Sequence, residues 1–302
     1  MFYGAADFLG GLASRRASTI VIVVIAQAAG LLPLALLLPI LPGALSRADF
    51  LWSAAAGLAG SAGIGLLYRA LAIGTMSIVA PTTAVCAVVL PVAIDAAGGE
   101  RLALVTWAGI ALALAAIVLV SQHEDPPAGP HQPPLKLRRS AVALAKAEGP
   151  APQPRHAGER TLPPGLALAF VSGVAIGLFF IALARTSATA GLWPLLVSRS
   201  VSLVFFSAAV LVRGQSMRLP RGVLRVALAC GVLDMLANAL YLVATRGGPL
   251  SVVVTLASLY PASTVLLARV VIDERLNRRQ TAGVVCALVA VVVIVSSEGT
   301  AR

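Results

Sequence analysis

The stretch that decides the fold is LYRALAIGTMSIVAPTTAVCAVVLPVAIDAAGGERL at residues 67–102, because residues 240–276 repeat its plan in LYLVATRGGPLSVVVTLASLYPASTVLLARVVIDERL. Each stretch holds a Leu-Tyr pair, a serine followed by two branched aliphatic residues, and a Glu-Arg-Leu triplet, at spacings that agree to within one residue. Self-similarity inside one chain indicates that each copy is one structural unit. The sequence therefore predicts two related halves.

The regions around these stretches are long and apolar. Hydrophobic residues make up 59% of the 302 residues and charged residues 12%, whereas about a quarter of a soluble domain is charged. A helix that crosses a hydrocarbon layer needs roughly 20 mainly apolar residues. The composition therefore excludes an ordinary soluble protein and predicts an all-α integral membrane protein. Nine runs of suitable length lie at 18–41, 49–73, 76–97, 104–121, 162–184, 189–212, 222–245, 250–272 and 281–297.

A tenth apolar run, residues 1–13, would cover only about 20 Å as a helix. It is either a truncated first helix or a helix without its outer turns. Comparison with the run before Gly173 predicts about ten further apolar residues ahead of Met1. We expect ten transmembrane helices, of which the first is short. Because each copy then holds an odd number of helices, the second copy enters from the opposite side, which predicts two inverted five-helix repeats.

The predicted organisation is a first repeat at 1–121, a linker at 122–161, a second repeat at 162–297 and a tail at 298–302. The linker is polar, rich in proline and arginine, and contains all three histidines of the chain. That composition is typical of a solvated connection rather than of a metal site.

The formal net charge of +11 comes from arginines clustered between the apolar runs. Arginines in such positions contact lipid headgroups. The predicted partners are therefore membrane lipids and a small-molecule substrate, and no nucleic acid.

The three cysteines fall inside apolar runs without a C-x-x-C pair, which favours a packing role. We predict no cofactor and no metal, and both a monomer and a homodimer fit the sequence.

Ionisable side chains inside apolar runs are costly and usually face a bundle interior or a water-filled cavity. Asp234 lies in the middle of the run 222–245, and Asn238 and Tyr241 follow on roughly the same helical face. This face is predicted to belong to a substrate or proton pathway, because a buried carboxylate suits proton coupling. The alternative is a structural hydrogen bond from Asp234 to a neighbouring helix.

Three further residues are candidates for the same pathway. Asp7 precedes two glycines, which allow a neighbouring helix or a substrate to approach the backbone closely. Arg199 lies between two serines and is suited to hold a substrate carboxylate with two hydrogen bonds. For Arg199, pairing with Asp234 and extension of the side chain to the membrane surface stay open as alternatives. Tyr260 is an aromatic candidate for a cavity wall.

Two prolines inside apolar runs are candidates for hinges. Proline has no N–H, so it breaks one hydrogen bond of the helix that contains it. Pro81 and Pro261 are the predicted hinge positions, one in each half of the chain.

Five short motifs follow one another along the chain: YGAADFLGG at 3–11, SIVAP at 77–81, GERL at 99–102, LASLYP at 256–261 and DERL at 273–276. Through the order and duplication of these motifs, the chain resembles the EamA family of the drug/metabolite transporter superfamily over nearly its whole length. The resemblance implies a ten-helix secondary transporter of the cytoplasmic membrane that exports amino acids or related metabolites, often by proton exchange.

The predicted function is a secondary active transporter that exports a small polar metabolite by alternating access. An enzyme is not predicted, because the chain has no H-E-x-x-H, no G-x-S-x-G and no histidine within its apolar runs. A non-transporting scaffold or lipid-interacting protein is the alternative. Both termini are expected on the same side of the membrane, but which side stays open. Between the apolar runs, five Lys and Arg lie on the side of the termini and fifteen on the opposite side. Because the cytoplasmic side usually carries more of these residues, the count puts the termini outside, whereas the resemblance implies the cytoplasm.

Overall fold

The computed structural model describes residues 2–38, 40, 43–97, 104–121, 163–247 and 260–298. The described part contains ten α-helices and no strand, which confirms the all-α prediction there. The predicted linker 122–161 and residues 299–302 lie outside the described residues. The helices are α1 (Phe2–Ser14), α2 (Thr19–Leu37), α3 (Arg47–Ile73), α4 (Met76–Ala97), α5 (Leu104–Ser121), α6 (Leu166–Ala184), α7 (Trp193–Val212), α8 (Arg221–Gly247), α9 (Tyr260–Val271) and α10 (Arg278–Glu298).

Five of these helices are long and apolar enough to cross a membrane: α2, α3, α6, α7 and α8. In α4 and α9 the apolar segments are shorter, at Met76–Leu90 and Tyr260–Val271. Several helices of this length in one chain indicate a multi-pass membrane protein. Local signals agree with the observed starts, since Ser46 and Asp49 form a capping box at α3 and α7 carries Pro194 in its first turn.

One end of the helix bundle is organised around Glu274, and we call it the Glu274 end. The Glu274 carboxylate accepts hydrogen bonds from the N–H groups of Met76 and Ser77, both at 2.9 Å, and from the Ser77 hydroxyl at 3.0 Å. It also pairs with Arg15, whose Nη2 lies 3.1 Å from Oε1. A carboxylate is favourable at the N-terminus of a helix, so this side chain joins the turn before α10 to the start of α4 and the end of α1.

The turns α1–α2 and α7–α8 lie at the same end, since the Ser18 hydroxyl donates to Gln215 Oε1 at 2.8 Å. Helix α6 also begins there. A methyl group added at Gly74, just after α3, would lie 2.4 Å from the carbonyl oxygen of Pro164, just before α6. Helices α1 and α3 therefore end where α6 begins.

We call the opposite end of the bundle the Asp49 end. Asp49 lies in the first turn of α3, and its Oδ1 accepts the N–H of Ser187 at 2.6 Å. The Ala44 N–H donates to the carbonyl of Thr189 at 2.9 Å. These bonds join the α2–α3 connection to the α6–α7 connection.

Helices of the two halves pack against each other throughout the described part. Close pairs are α3 with α6, α1 with α8, α2 with α8, α3 with α7, α4 with α6, α1 with α9, and α5 with α10. Inside a membrane such contacts rely on close packing rather than on the exclusion of water, so small residues are favoured. Gly231 is one example, because a methyl group there would lie 2.0 Å from the carbonyl oxygen of Ala26.

The largest cluster of buried apolar side chains fills the bundle toward the Glu274 end. It includes Ala13 at the end of α1, Leu71 at the end of α3, Met76 at the start of α4, and Val210 and Val223 beside the α7–α8 turn. A separate cluster joins α4, α5 and α10 at the side of the bundle, and its small members include Ala113, Ala116, Ala287 and Ala290.

Candidate functional site

A cavity of ≈ 280 Å³ lies inside the bundle. Eight helices line it: α1 to α4 from the first half and α6 to α9 from the second. Neither α5 nor α10 contributes a lining residue among those that the structure describes. The principal polar side chains at its wall are Tyr3, Asp7, Gln27, Arg199, Asp234 and Asn238.

The cavity lies in the half of the bundle toward the Asp49 end. Helix α7 begins at that end, and its lining residues fall between Leu195 and Ser202, within its first half. Helix α8 begins at the Glu274 end, and its lining residues fall between Asp234 and Tyr241, within its second half. The apolar cluster described above occupies the other half, so the cavity is closed toward the Glu274 end.

An ion pair between α7 and α8 forms the centre of the polar wall. Arg199 Nη2 lies 2.5 Å from Asp234 Oδ2, and the two side chains are only 10% and 16% exposed. The second guanidinium nitrogen, Nη1, donates to Gln27 Oε1 from α2. The Gln27 amide in turn donates to the Ser202 hydroxyl at 2.5 Å. Of the roles left open for Arg199, the structure has the pairing with Asp234, and the guanidinium does not extend to the membrane surface.

Asn238 connects the ion pair to α1. One helical turn after Asp234, its side-chain amide donates to the Asp234 carbonyl at 2.8 Å, and its Oδ1 accepts the Tyr3 hydroxyl at 3.1 Å. The Tyr3 ring packs edge-on against Tyr260, with centroids 6.0 Å apart. Residues four and seven positions apart share a helical face, which is why Asp234, Asn238 and Tyr241 all reach the cavity.

Asp7 is a buried carboxylate that faces the cavity from α1. Its side chain is 7% exposed and belongs to the cavity wall. Within the part of the chain that the structure describes, the carboxylate makes no hydrogen bond and no ion pair. The glycine three residues later packs under the ring of Tyr68, where a methyl group would lie 2.3 Å from Cζ. This close packing holds α1 against α3 and so fixes the position of Asp7.

Aromatic rings form one wall of the cavity. Phe179 and Phe180 of α6 meet edge to face with centroids 5.3 Å apart, and Phe180 lies 6.4 Å from Tyr241 of α8. The cavity wall therefore combines charged and hydrogen-bonding side chains with apolar and aromatic ones. That combination fits a ligand with a polar group and a carbon body.

The two proline candidates lie away from the cavity wall. Pro81 is inside α4, which runs continuously from Met76 to Ala97. Pro261 is the second residue of the described helix α9. Neither proline is among the residues that line the cavity, and their roles as hinges stay predictions.

Sequence reasoning missed three residues of this wall: Tyr3, Gln27 and Ser202. The main sequence signal for the pathway is a charged group in an apolar run, and these three side chains are neutral at pH 7. A signal was present for Gln27, which is the only polar residue between Thr19 and Leu37. Amides inside membrane helices seek hydrogen-bond partners, so a lone glutamine in such a run is a reason to expect a polar contact.

No group of three or more His, Cys, Asp and Glu side chains suited to a metal ion occurs among the residues that the structure describes. Residues 161–296 match the EamA-like transporter family, which belongs to the drug/metabolite transporter superfamily. The match covers α6 to α9 and nearly all of α10, and it confirms the predicted resemblance to this family over the second half of the chain. No curated protein sequence matches the chain. The family is one of membrane transporters and not of enzymes.

Proposed function

We propose that this chain, whose residues 161–296 match the EamA-like transporter family, is a secondary active transporter that exports a small polar metabolite across the cell membrane. The observation that carries the proposal is the cavity of ≈ 280 Å³ with a buried ion pair and a second carboxylate in its wall. Ionisable groups inside a membrane protein are expensive and mark substrate or ion paths. The volume is at the lower limit of about 300 Å³ for ligand sites, which favours a metabolite of amino-acid size.

An inverted repeat of residues 1–121 and 162–297 is part of the proposal, and two observations support it. First, α1 begins toward the Asp49 end, whereas α6 begins at the Glu274 end. Second, each packing pair has a counterpart when every helix is replaced by the helix five places later, counting on from α10 to α1. The pair α3 with α6 corresponds to α8 with α1, and the pair α2 with α8 corresponds to α7 with α3, and all four pairs are observed. On this scheme the chain has ten transmembrane helices and both termini on one side.

Alternating access follows from such a repeat, because rocking the two halves exchanges one arrangement for its mirror alternative. The cavity here is closed toward the Glu274 end by apolar packing and by the bonds of Glu274. In the alternative state the contacts at this end separate and the cavity opens there. Pro81 and Pro261 are the proposed hinges, since each removes one backbone hydrogen bond from its helix.

Proton coupling is proposed through the two carboxylates of the cavity, Asp7 and Asp234. Both lie within the wall that a substrate would touch. A substrate and a proton that compete for the same buried charges cannot occupy the site together, which is the requirement for exchange. Tyr241 and Tyr260 complete the proposed pathway as parts of the aromatic wall.

The test is a metabolite-export screen of cells that overproduce the protein, with and without a protonophore. We expect one class of small polar metabolite to leave the cells faster, and the protonophore to abolish the difference. Asp234→Asn should remove the effect at normal abundance in the membrane, whereas Asp273→Asn, on an exposed turn, should retain it. A protein that moves no metabolite but disturbs membrane assembly would instead be a scaffold.

A further inference from the structure

The charges of the cavity wall do not balance. Among the lining residues that the structure describes, Asp7 and Asp234 carry carboxylates and Arg199 carries the one guanidinium. A carboxylate buried away from water either takes up a proton or requires a cation beside it. The wall therefore has one carboxylate in excess of its cations.

The guanidinium is already occupied. Its Nη2 contacts Asp234 at 2.5 Å and its Nη1 contacts the Gln27 carbonyl oxygen. A substrate carboxylate would have to displace Asp234 and leave that carboxylate unpaired, and unpaired buried charges are strongly unfavourable. The arrangement therefore disfavours an anionic group at Arg199.

Asp7 is the carboxylate left over. It is 7% exposed, faces the cavity, and has no hydrogen-bond or ion-pair partner in the described part of the chain. A cation placed beside it would bring the charges of the wall into balance. A primary ammonium group would also donate hydrogen bonds to the carboxylate, and such charged bonds are among the strong ones in proteins.

The surroundings of Asp7 suit an organic cation better than a metal ion. The rings of Tyr3 and Tyr260 lie at the same cavity, and aromatic faces attract ammonium groups. Apolar side chains such as Ile64 and Ile176 line the cavity as well, and they would pack against a carbon body. A small metal ion would need several oxygen ligands. Among the described residues, Asp7 belongs to no group of three or more His, Cys, Asp and Glu side chains that could hold such an ion.

We infer that the substrate is an organic amine cation whose ammonium group is bound by Asp7. This inference rests on the proposed transport function and names the class of its substrate. The ion pair of Arg199 and Asp234 then acts as a neutral, hydrogen-bonded part of the wall. The aromatic side of the cavity holds the carbon body of the amine.

Binding to the purified chain in lipid nanodiscs tests the inference with three probes that share a phenylethyl group. Phenethylamine carries only the ammonium, 3-phenylpropionate only the carboxylate, and L-phenylalanine both. We expect phenethylamine to bind at least about tenfold more tightly than 3-phenylpropionate, because the latter loses the charged hydrogen bonds. L-phenylalanine should bind more weakly than phenethylamine, since its carboxylate finds no free cation.

Variants of Asp7 locate the ammonium. Asp7→Asn keeps the shape of the side chain and should weaken phenethylamine binding about tenfold or more, while Asp7→Glu should keep the preference for the amine. Asp273→Asn is the matched control, because it makes the same change on an exposed turn. A melting curve for each variant separates lost binding from lost folding.

Two results would overturn the inference. One is tighter binding of 3-phenylpropionate or L-phenylalanine than of phenethylamine, or no phenethylamine binding at all. The other is equal phenethylamine affinity in Asp7→Asn and in the unaltered protein. Either result, together with export in the metabolite screen, would leave the transport function in place. Amine binding by a protein that exports nothing would retain the cation site and refute transport.

Discussion

The two ends of the helix bundle contrast sharply, although the same helices run through both. Toward the Glu274 end, side chains such as Phe8, Leu71 and Met76 fill the interior. Toward the Asp49 end the interior is a cavity whose wall carries Asp7 and Arg199. Helix α1 supplies both Phe8 and Asp7, which are adjacent in sequence. Because neighbouring residues of a helix point in different directions, the face on which a residue lies, and not only the helix that contains it, decides whether its side chain packs or lines the cavity.

Buried polar groups differ in their hydrogen-bond partners between the two regions. In the packed region the Tyr68 hydroxyl lies 3.0 Å from the Cys230 sulfur, and the Cys230 thiol donates to the Ala6 carbonyl at 3.3 Å. These groups are satisfied within the protein, as buried polar groups must be. At the cavity, the carboxylate of Asp7 faces the open volume instead. The buried hydroxyls of Ser14 and Thr19, near the Glu274 end, also lack a hydrogen-bond partner in the described part of the chain. What distinguishes the cavity is therefore that its carboxylate faces a volume that a substrate can enter.

The largest effect is expected from removing a charge of the cavity. Asp234→Asn leaves Arg199 with only its bond to Gln27, and one unpaired buried charge costs about 3 to 5 kcal/mol. We expect the export rate per molecule to fall about a hundredfold or more. The measurement is initial export normalised to membrane abundance, with Asp273→Asn as the control. An unchanged rate would remove this ion pair from the mechanism.

The next effect concerns the contact between α2 and α8, just beyond the cavity. A methyl group at Gly231 would lie 2.0 Å from a backbone oxygen of Ala26, which cannot move aside without shifting a helix. Gly231→Ala should therefore cost about 1 to 3 kcal/mol of stability. Gly222→Ala, in the same helix, meets no atom within 4 Å and should be neutral. Melting temperatures of the two variants give the comparison, and equal values would contradict the close packing.

A smaller effect is expected at the Glu274 end. Glu274→Gln weakens the charged bonds to Arg15, Met76 and Ser77, so this end should open more often. Cys230 is buried in the packed region and reports on opening once Cys86 and Cys286 are replaced by alanine. We expect a membrane-impermeant maleimide, added from the Glu274 side, to label Cys230 about five- to tenfold faster, which corresponds to about 1 to 1.5 kcal/mol.

The control for the labelling experiment is a substitution at Asp273, the residue before Glu274. Asp273→Asn should leave the labelling rate of Cys230 unchanged, because the Asp273 side chain is directed to solvent and touches none of the groups that Glu274 binds. Equal labelling rates for Glu274→Gln and the unaltered protein would show that the bonds of Glu274 do not limit opening.

The smallest effect is expected from the exposed ion pair beside Glu274. Arg275 and Asp273 are 3.4 Å apart, but their side chains are 87% and 81% exposed. Pairs in water contribute little, because solvent and salt screen them. Arg275→Gln should therefore change neither the melting temperature nor the export rate measurably. A clear loss in either measurement would indicate that this turn has a partner in the working protein.

Part of the site could be predicted from the sequence. A charged side chain in an apolar run is energetically unfavourable whichever helices surround it, so its presence indicates a functional position. Asp7, Arg199 and Asp234 were found on that ground, and helical spacing added Asn238 and Tyr241. The partner of Arg199 stayed open between a substrate, Asp234 and the membrane surface. Gln27 was missed, because a neutral amide has a weaker sequence signal than a charge. Which residues meet across helices depends on packing that one sequence does not display.

The sequence by itself predicted the all-helical fold that the described residues have, the long apolar helices of a multi-pass membrane protein, and two halves that share a set of motifs. These properties follow from composition, run length and internal similarity, which act locally along the chain. Only the tertiary structure decided which charges meet, that Asp7 is left without a described partner, and that the cavity lies toward the Asp49 end. The physical reason is that pairing and cavities arise from contacts between helices distant in sequence, such as α1 with α8 and α2 with α7, and the angles and depths of those contacts are set by close packing.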